Sequence, residues 1–318
     1  GRVPKVTDKS LFGAMVKNSV DRDLAQQVPS DKEGSSSDVE DNDLDCCSYV
    51  DFIQDRPSES EASYRELVAS VRDTISYIKK ALAFHANVEN GLTYGHLTGD
   101  VDEGALAKLI SLNDPHVMER KEIPRRKSVL VTMLVDESGS MAQLVDGEDR
   151  ATQAKKVAIA LYEALRTSDL TVHVYGHSAQ GRSPGVEIYE YVTSERNCPL
   201  AMGNIQGRNE NLDGYAIQAV VKRMLAFPAE KRILFHLSDG NPMGDGYYGW
   251  RANDHTLRVC ESSRKKGVDV FAVGVANAFD NERGSELYGA GNFVVLNDVL
   301  SAGPLIARGI RAFLNRRR

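Results

Sequence analysis

A chain of 318 residues that is 42% apolar and 26% charged is long enough for one large α/β domain with extensions, and no apolar run approaches the ~20 residues that cross a bilayer, so no membrane span is expected. Its 39 basic and 45 acidic residues leave a formal charge of −6, a sign that argues against nucleic acid as the main partner. The four cysteines, Cys46, Cys47, Cys198 and Cys260, show no metal-ligand spacing, and no charged-then-apolar leader opens the sequence; free thiols in a reducing cytoplasm are the expectation.

The charge is concentrated. Residues 31–45 (DKEGSSSDVEDNDLD) hold seven acids against Lys32, and this stretch alone carries −6. Such a segment offers too little apolar surface to offset the entropy of ordering. Residues 1–61 are therefore read as a mostly disordered acidic segment, with at most a short helix near Leu11–Val16. Order begins with Tyr64, Leu67, Val68, Val71, Ile75, Ile78 and Leu82, whose steps of three and four predict one long helix over 62–88. Turn chemistry and a short helix near Glu103–Leu112 complete a helical extension over 62–123.

From Ser128 the rhythm changes. SVLVTMLVD (128–136) is a continuous apolar run, as in a strand buried on both faces. Helices are predicted at 149–167, 212–227, 251–266 and 299–315, the last ending on Arg316, Arg317 and Arg318. Strands are predicted at 170–175, 185–191, 232–237, 268–275 and 292–296. This alternation implies a doubly wound, mostly parallel α/β sheet with helices on both faces over 124–318, with ligands at the carboxyl ends of its strands.

Two strands end in polar motifs. The first runs into Asp136-Glu137-Ser138-Gly139-Ser140-Met141, a D-x-S-x-S pattern, and strand 232–237 runs into Ser238-Asp239-Gly240. Between them Asn211-Leu212-Asp213-Gly214 precedes a helix. Together these loops can present Asp136, Asp239, Ser138, Ser140 and either Asn211 or Asp213. Hard oxygen donors of that number suit Mg²⁺ in an octahedral site, with Mn²⁺ or Ca²⁺ as substitutes. With few anionic ligands the ion would stay electrophilic and could accept a carboxylate from another protein. The plainer reading gives the serines to helix capping and the aspartates to turns.

DESGSM, NLDGYAI and LSDGNP on this strand–helix ladder resemble a von Willebrand factor A (VWA) domain. The resemblance implies a metal-ion-dependent adhesion site (MIDAS) made by Asp136, Ser138, Ser140, the middle loop and Asp239. Asn211 stands where many VWA domains have Thr, and the N-x-D-G variant is similar to the T subunit of aerobic cobaltochelatase (the CobT type). The segment over 62–127 and the acidic stretch before it extend that likeness; Glu137 and the insert Asp146-Gly147-Glu148-Asp149 depart from it. The resemblance implies a non-catalytic subunit that works with a ring-forming MoxR-type AAA+ ATPase beside a large chelatase subunit, inserting cobalt into a corrin in cobalamin biosynthesis. The alternative is an adaptor through which such an ATPase remodels another protein, without tetrapyrrole chemistry. No G-x-x-x-x-G-K-[ST] phosphate loop is present, so ATP hydrolysis by this chain alone is not expected.

The remaining candidates are weaker. Gly176-His177-Ser178-Ala179-Gln180 lacks the last glycine of a hydrolase nucleophile elbow. His173 and His177 share a strand face, where a transition-metal pair is conceivable and satisfied histidines are the default; His236, inside a strand, reads as packed. Tyr247, Tyr248 and Trp250 follow Asp239 in a loop and, with Glu137 and Met141, are the expected partner-facing residues. Arg125, Arg126 and Lys127 form a basic lead-in to the first strand.

Overall fold

The structure, a computed structural model, describes residues 47–307 apart from 55, 59, 89–91, 104, 113, 122–127, 169, 181–184, 298 and 300–302. The acidic run Asp31–Asp45, the helix near Leu11–Val16, Cys46, Arg125, Arg126, Lys127 and Arg316, Arg317 and Arg318 lie outside the described residues.

The first strand is not where the sequence suggested order begins. Tyr49–Ile53 (β1) lies within the stretch read as acidic and disordered, and it pairs in parallel with a later strand. Helices α1 (Glu61–Ser70) and α2 (Arg72–Val88) follow. They replace the single predicted helix because Val71, at φ −112° and ψ 16°, steps out of helical geometry. Ser60 caps α1 by accepting the Ser63 N–H at 3.1 Å. A small antiparallel sheet follows, β2 (Leu92–His96), β3 (Asp100–Val101) and β4 (Met118–Lys121), in the order β2-β4-β3, with helix α3 (Leu106–Leu112) between β3 and β4 in the chain.

Strand β5 (Val129–Asp136) is buried along its whole length. Its odd-numbered residues Val129, Val131, Met133 and Val135 enter one core, and Leu130 and Leu134 enter the other. Each fully buried side chain of this size contributes roughly 1.5–3 kcal/mol. The acidic insert after it is a hairpin of β6 (Leu144–Val145) and β7 (Glu148–Asp149). Asp146 and Gly147 sit at φ 55° and 88°, and two successive positive φ values are what a two-residue hairpin turn requires. Asp149 then caps α4 (Arg150–Leu165) by accepting the Thr152 N–H at 2.7 Å.

The remaining elements are β8 (Thr171–Gln180), β9 (Gly185–Val192), α5 (Asp213–Ala226), β10 (Lys231–Ser238), α6 (Gly249–Lys265), β11 (Val268–Gly274), α7 (Asn281–Tyr288) and β12 (Phe293–Val295). The main sheet runs β1-β9-β8-β5-β10-β11-β12. All its pairings are parallel except β8 with β9, so the expected doubly wound, mostly parallel sheet is the observed one. Strand order reverses between β5 and β10, which places the switch point beside Asp136 and Asp239. Helices α1, α2 and α4 cover one face; Tyr64, Val71, Ile75 and Ile78 join the core beneath them. Helices α5, α6 and α7 cover the other. None of the described helices is long and apolar enough to cross a membrane.

His173 on β8 is a satisfied histidine. Its Nε2 lies 2.8 Å from Ser194 Oγ and accepts the Ser194 N–H at 3.2 Å, and its ring packs edge-on against Phe227. Burial, then the Arg223 charge, pushes its pKa from 6.5 down to about 4. The folded chain thus holds fewer protons here than the unfolded chain. The stability it confers is complete above pH 6.5 and is lost as pH falls from 6.5 through 4. His173→Gln is expected to flatten the fall in melting temperature across that window, measured by thermal unfolding of both chains between pH 7 and 4.

Candidate metal centre

The loops after β5 and β10 meet as their sequences suggested. Asp136 and Ser138, both buried, close an Asx turn in which the Ser138 N–H donates to Asp136 Oδ1 at 2.8 Å. The other oxygen of Asp136 accepts from Asn211 Nδ2 and from Ser238 Oγ, each at 3.0 Å. The hydroxyls of Ser138 and Ser140 stand 2.9 Å apart. Asp239 accepts the Asn241 N–H at 3.1 Å and is bonded by Ser140; Arg150 lies 3.6 Å away. Burial raises the pKa of Asp136. Burial and then the Asp136 charge push Asp239 up to about 6. Two buried acids whose charges oppose each other at strand ends mark a candidate functional site.

The donor set fits such an ion. Two hydroxyl oxygens 2.9 Å apart match the edge of an octahedron with Mg–O bonds of about 2.1 Å. The site opens on a cleft of ≈ 780 Å³ lined by Ser140, Arg150, Asp239, Asn277 and Arg283 among others.

The two middle-loop candidates part company. Asn211 faces Asp136 with its NH₂, while its oxygen accepts the Met243 N–H at 2.7 Å. It therefore fixes Asp136 and fastens the loop after Asp239. Asp213, at the start of α5, lies deeper. It is fully buried, and neither carboxylate oxygen has a hydrogen-bond partner among the described residues. Burial, then Asp136 and Asp239, raise its pKa well above the ordinary value. Its neighbours are His177, which the sequence reading paired with His173, and His236.

The expected partner-facing set needs correction. Glu137, Met141 and Tyr247 are fully buried and cannot touch another protein. Met141 packs into the core under α4. Tyr247 folds back onto α5, where its hydroxyl accepts the Gly214 N–H at 3.2 Å and lies 3.0 Å from His255 Nδ1. A Cβ on Gly214 would come within 2.4 Å of that His255 ring, so the glycine of N-x-D-G is needed for close packing. Tyr248 and Trp250, at 66% and 73% exposure, do face solvent, and Met243 on the same loop is 53% exposed.

Glu137 has a different task. Its carboxylate accepts from Tyr191 Oη at 2.5 Å, from Arg208 Nε at 2.8 Å and from the Gln206 N–H at 3.2 Å, while its own carbonyl takes the Arg208 N–H at 2.7 Å. Burial pushes its pKa up to about 7 against the pull of Arg208. It thereby pins residues 206–208, from which the chain runs on to Asn211. Tyr191 and Arg208, which sequence reasoning missed, belong to the scaffold of the site.

Residues 193–314 match the family model described as "Cobalamin biosynthesis protein CobT VWA domain". This span takes in Asn211, Asp213 and Asp239 and begins after Asp136. An uncharacterized protein of Bacillus subtilis (strain 168), YojO, is 23% identical over 235 residues, covering 71% of this chain and 36% of its own length. The chain thus spans about a third of that relative. Among solved structures, BatB from Bacteroides thetaiotaomicron superposes with a TM-score of 0.44 at 17% identity, over 59% of this chain and 100% of its own. The vWF domain of the type V pili tip protein Mfa5 from Porphyromonas gingivalis does so with a TM-score of 0.42 at 11% identity, over 60% and 98%.

Proposed function

We propose, from the premise that the chain carries a von Willebrand factor A domain of the CobT type, that it is a Mg²⁺-dependent protein-recognition subunit. Its partner would be a MoxR-type AAA+ ATPase ring, in a cobaltochelatase-like complex that inserts cobalt into a corrin. Asp136, Ser138, Ser140 and Asp239 would hold the ion, with Mn²⁺ or Ca²⁺ able to substitute. Asn211 would orient Asp136 and reach the ion through water. The bound ion supplies an electrophilic position that an Asp or Glu of the partner can fill.

The observation that carries this reading is the convergence of two buried acids and two hydroxyls at the switch point, beside an open cleft. Arg150 and Arg283 line that cleft and would attract an incoming carboxylate. Exposed Met243, Tyr248 and Trp250 on the adjoining loop supply the apolar and aromatic anchors that dominate interface energies.

The test is a pull-down of the ATPase and large chelatase subunits with and without Mg²⁺. Capture is expected with Mg²⁺, and it should be lost on adding EDTA and in Asp136→Ala, which should still fold. Capture indifferent to both would sink the proposal. Mg²⁺-dependent capture of an ATPase without any chelatase subunit would favour the adaptor role.

A further inference from the structure

Beneath the oxygen-rich site lies a second cluster of different chemistry. His177 comes from β8, His236 from β10 and Asp213 from the first turn of α5, and all three are fully buried. The two Nε2 atoms are 3.1 Å apart, and Asp213 Oδ1 lies 3.7 Å from that of His177 and 3.9 Å from that of His236. A point equidistant from these three atoms is about 2.1 Å from each, and zinc bonds imidazole nitrogen and carboxylate oxygen at roughly 2.0–2.2 Å.

A hydrogen bond between the imidazoles would satisfy one proton and nothing else. Both Asp213 oxygens and His177 Nδ1 are without partners among the described residues, and a buried, unpaired carboxylate is strongly unfavourable. Asp136 and Asp239 add negative charge nearby. The other nitrogen of His236 is held 3.1 Å from Tyr288 Oη, the kind of outer contact that orients a metal-bound histidine.

We propose that His177, His236 and Asp213 bind a borderline divalent metal, of which Zn²⁺ is the type, in a site separate from the oxygen-rich one. Two imidazoles select Zn²⁺, Co²⁺ or Ni²⁺ over Mg²⁺. The ion neutralises Asp213, engages both Nε2 atoms and joins the start of α5 to β8 and β10. Water or the second oxygen of Asp213 supplies the fourth ligand. This assignment does not depend on the identity of any partner protein.

Because none of the three ligands is exposed, the metal is best supplied as the chain folds. The full chain is unfolded with a chelator, refolded with Zn²⁺ in the presence of excess Mg²⁺, freed of loose ion and analysed for metal. About one Zn²⁺ per chain is expected from the ligand set, bound together with folding. Retention should drop at least tenfold in His177→Gln and His236→Gln and persist in the Ser138→Ala/Ser140→Ala double variant. X-ray absorption of the zinc-loaded unsubstituted chain should show two imidazoles, and this reading stands even if the histidine variants fail to fold. Absence of retained zinc, an oxygen-only shell, or zinc lost with the serines and kept without the histidines would overturn the proposal.

Discussion

Glu137→Ala is expected to destabilise the chain by about 3 kcal/mol, the low end of the range for breaking a buried ion pair, and to lower its melting temperature by roughly 6–12 °C. The carboxylate is fully buried and serves Tyr191, Arg208 and the Gln206 N–H at once. Alanine leaves the Tyr191 hydroxyl unsatisfied in the core and frees Arg208. Arg208 is partly exposed, keeps a contact with the Asn204 carbonyl at 3.3 Å and lies over the Tyr189 ring, which is why the low end applies. Glu137→Gln, which still accepts from Tyr191, should lose less. Gly176→Ala should resemble Glu137→Ala, because a Cβ at Gly176 would stand 1.7 Å from Glu137 Oε1. Urea unfolding at pH 8, above the pKa of about 7, measures the comparison with the carboxylate charged. Variants as stable as the parent would show that the 206–208 segment does not depend on this latch. Since that segment leads to Asn211 and hence to Asp136, both variants should also weaken the Mg²⁺-dependent partner capture proposed above.

The sheet was legible because strands such as β5 (VLVTMLVD) and β10 (KRILFHLS) are mostly apolar, the pattern of a strand buried on both faces. The outer site was legible for the same reason. Asp136 ends the buried strand β5 and Asp239 follows directly on β10, so their position in space follows from their position in sequence. The residues that escaped owe their roles to non-local pairing. Nothing in D-x-S-x-S says that its second residue turns inward, since Tyr191 and Arg208 lie 54 and 71 residues away. Buried Glu137 against a glycine on the neighbouring strand was the one available hint, and it needs the register of β5 with β8 to be seen. Tyr49–Ile53 looked like part of an acidic tail because a five-residue strand is too short to signal alone; its partner β9 supplies the order. His177, His236 and Asp213 come from three elements and have no common spacing. Each alone reads as a packed or turn residue.

Mg²⁺ is expected to raise the melting temperature of the chelator-stripped chain by roughly 5–10 °C when supplied at about 100 times its dissociation constant. That concentration corresponds to a stabilisation of about 2.7 kcal/mol for an ion bound only by the folded state. Without the ion, Asp136 and Asp239 oppose each other, and hydrogen bonds from Ser138, Asn211, Ser238 and Asn241 with the nearby Arg150 offset their burial only in part. Burial and the Asp136 charge raise the pKa of Asp239 from 3.8 to about 6. A raised carboxyl pKa means that the folded, metal-free chain holds an extra proton. Its contribution to stability is complete below pH 3.8 and fades as pH rises through 6. The ion must displace that proton, so its effect should be largest at pH 7–8 and shrink steadily below pH 6. Asp136→Ala and Asp239→Ala should each abolish the shift; the metal-free chain should still fold, because the hydrogen bonds lost with each carboxylate are offset in part by removing one of two buried like charges. Scanning fluorimetry across pH 5–8 with and without Mg²⁺ reads this directly. A shift that survives Asp136→Ala would place the stabilising ion elsewhere. With excess Mg²⁺ present throughout, further stabilisation by Zn²⁺ that needs His177 and His236 would assign that second increment to the deeper cluster, since imidazole nitrogen favours zinc and hydroxyl and carboxylate oxygen favours magnesium.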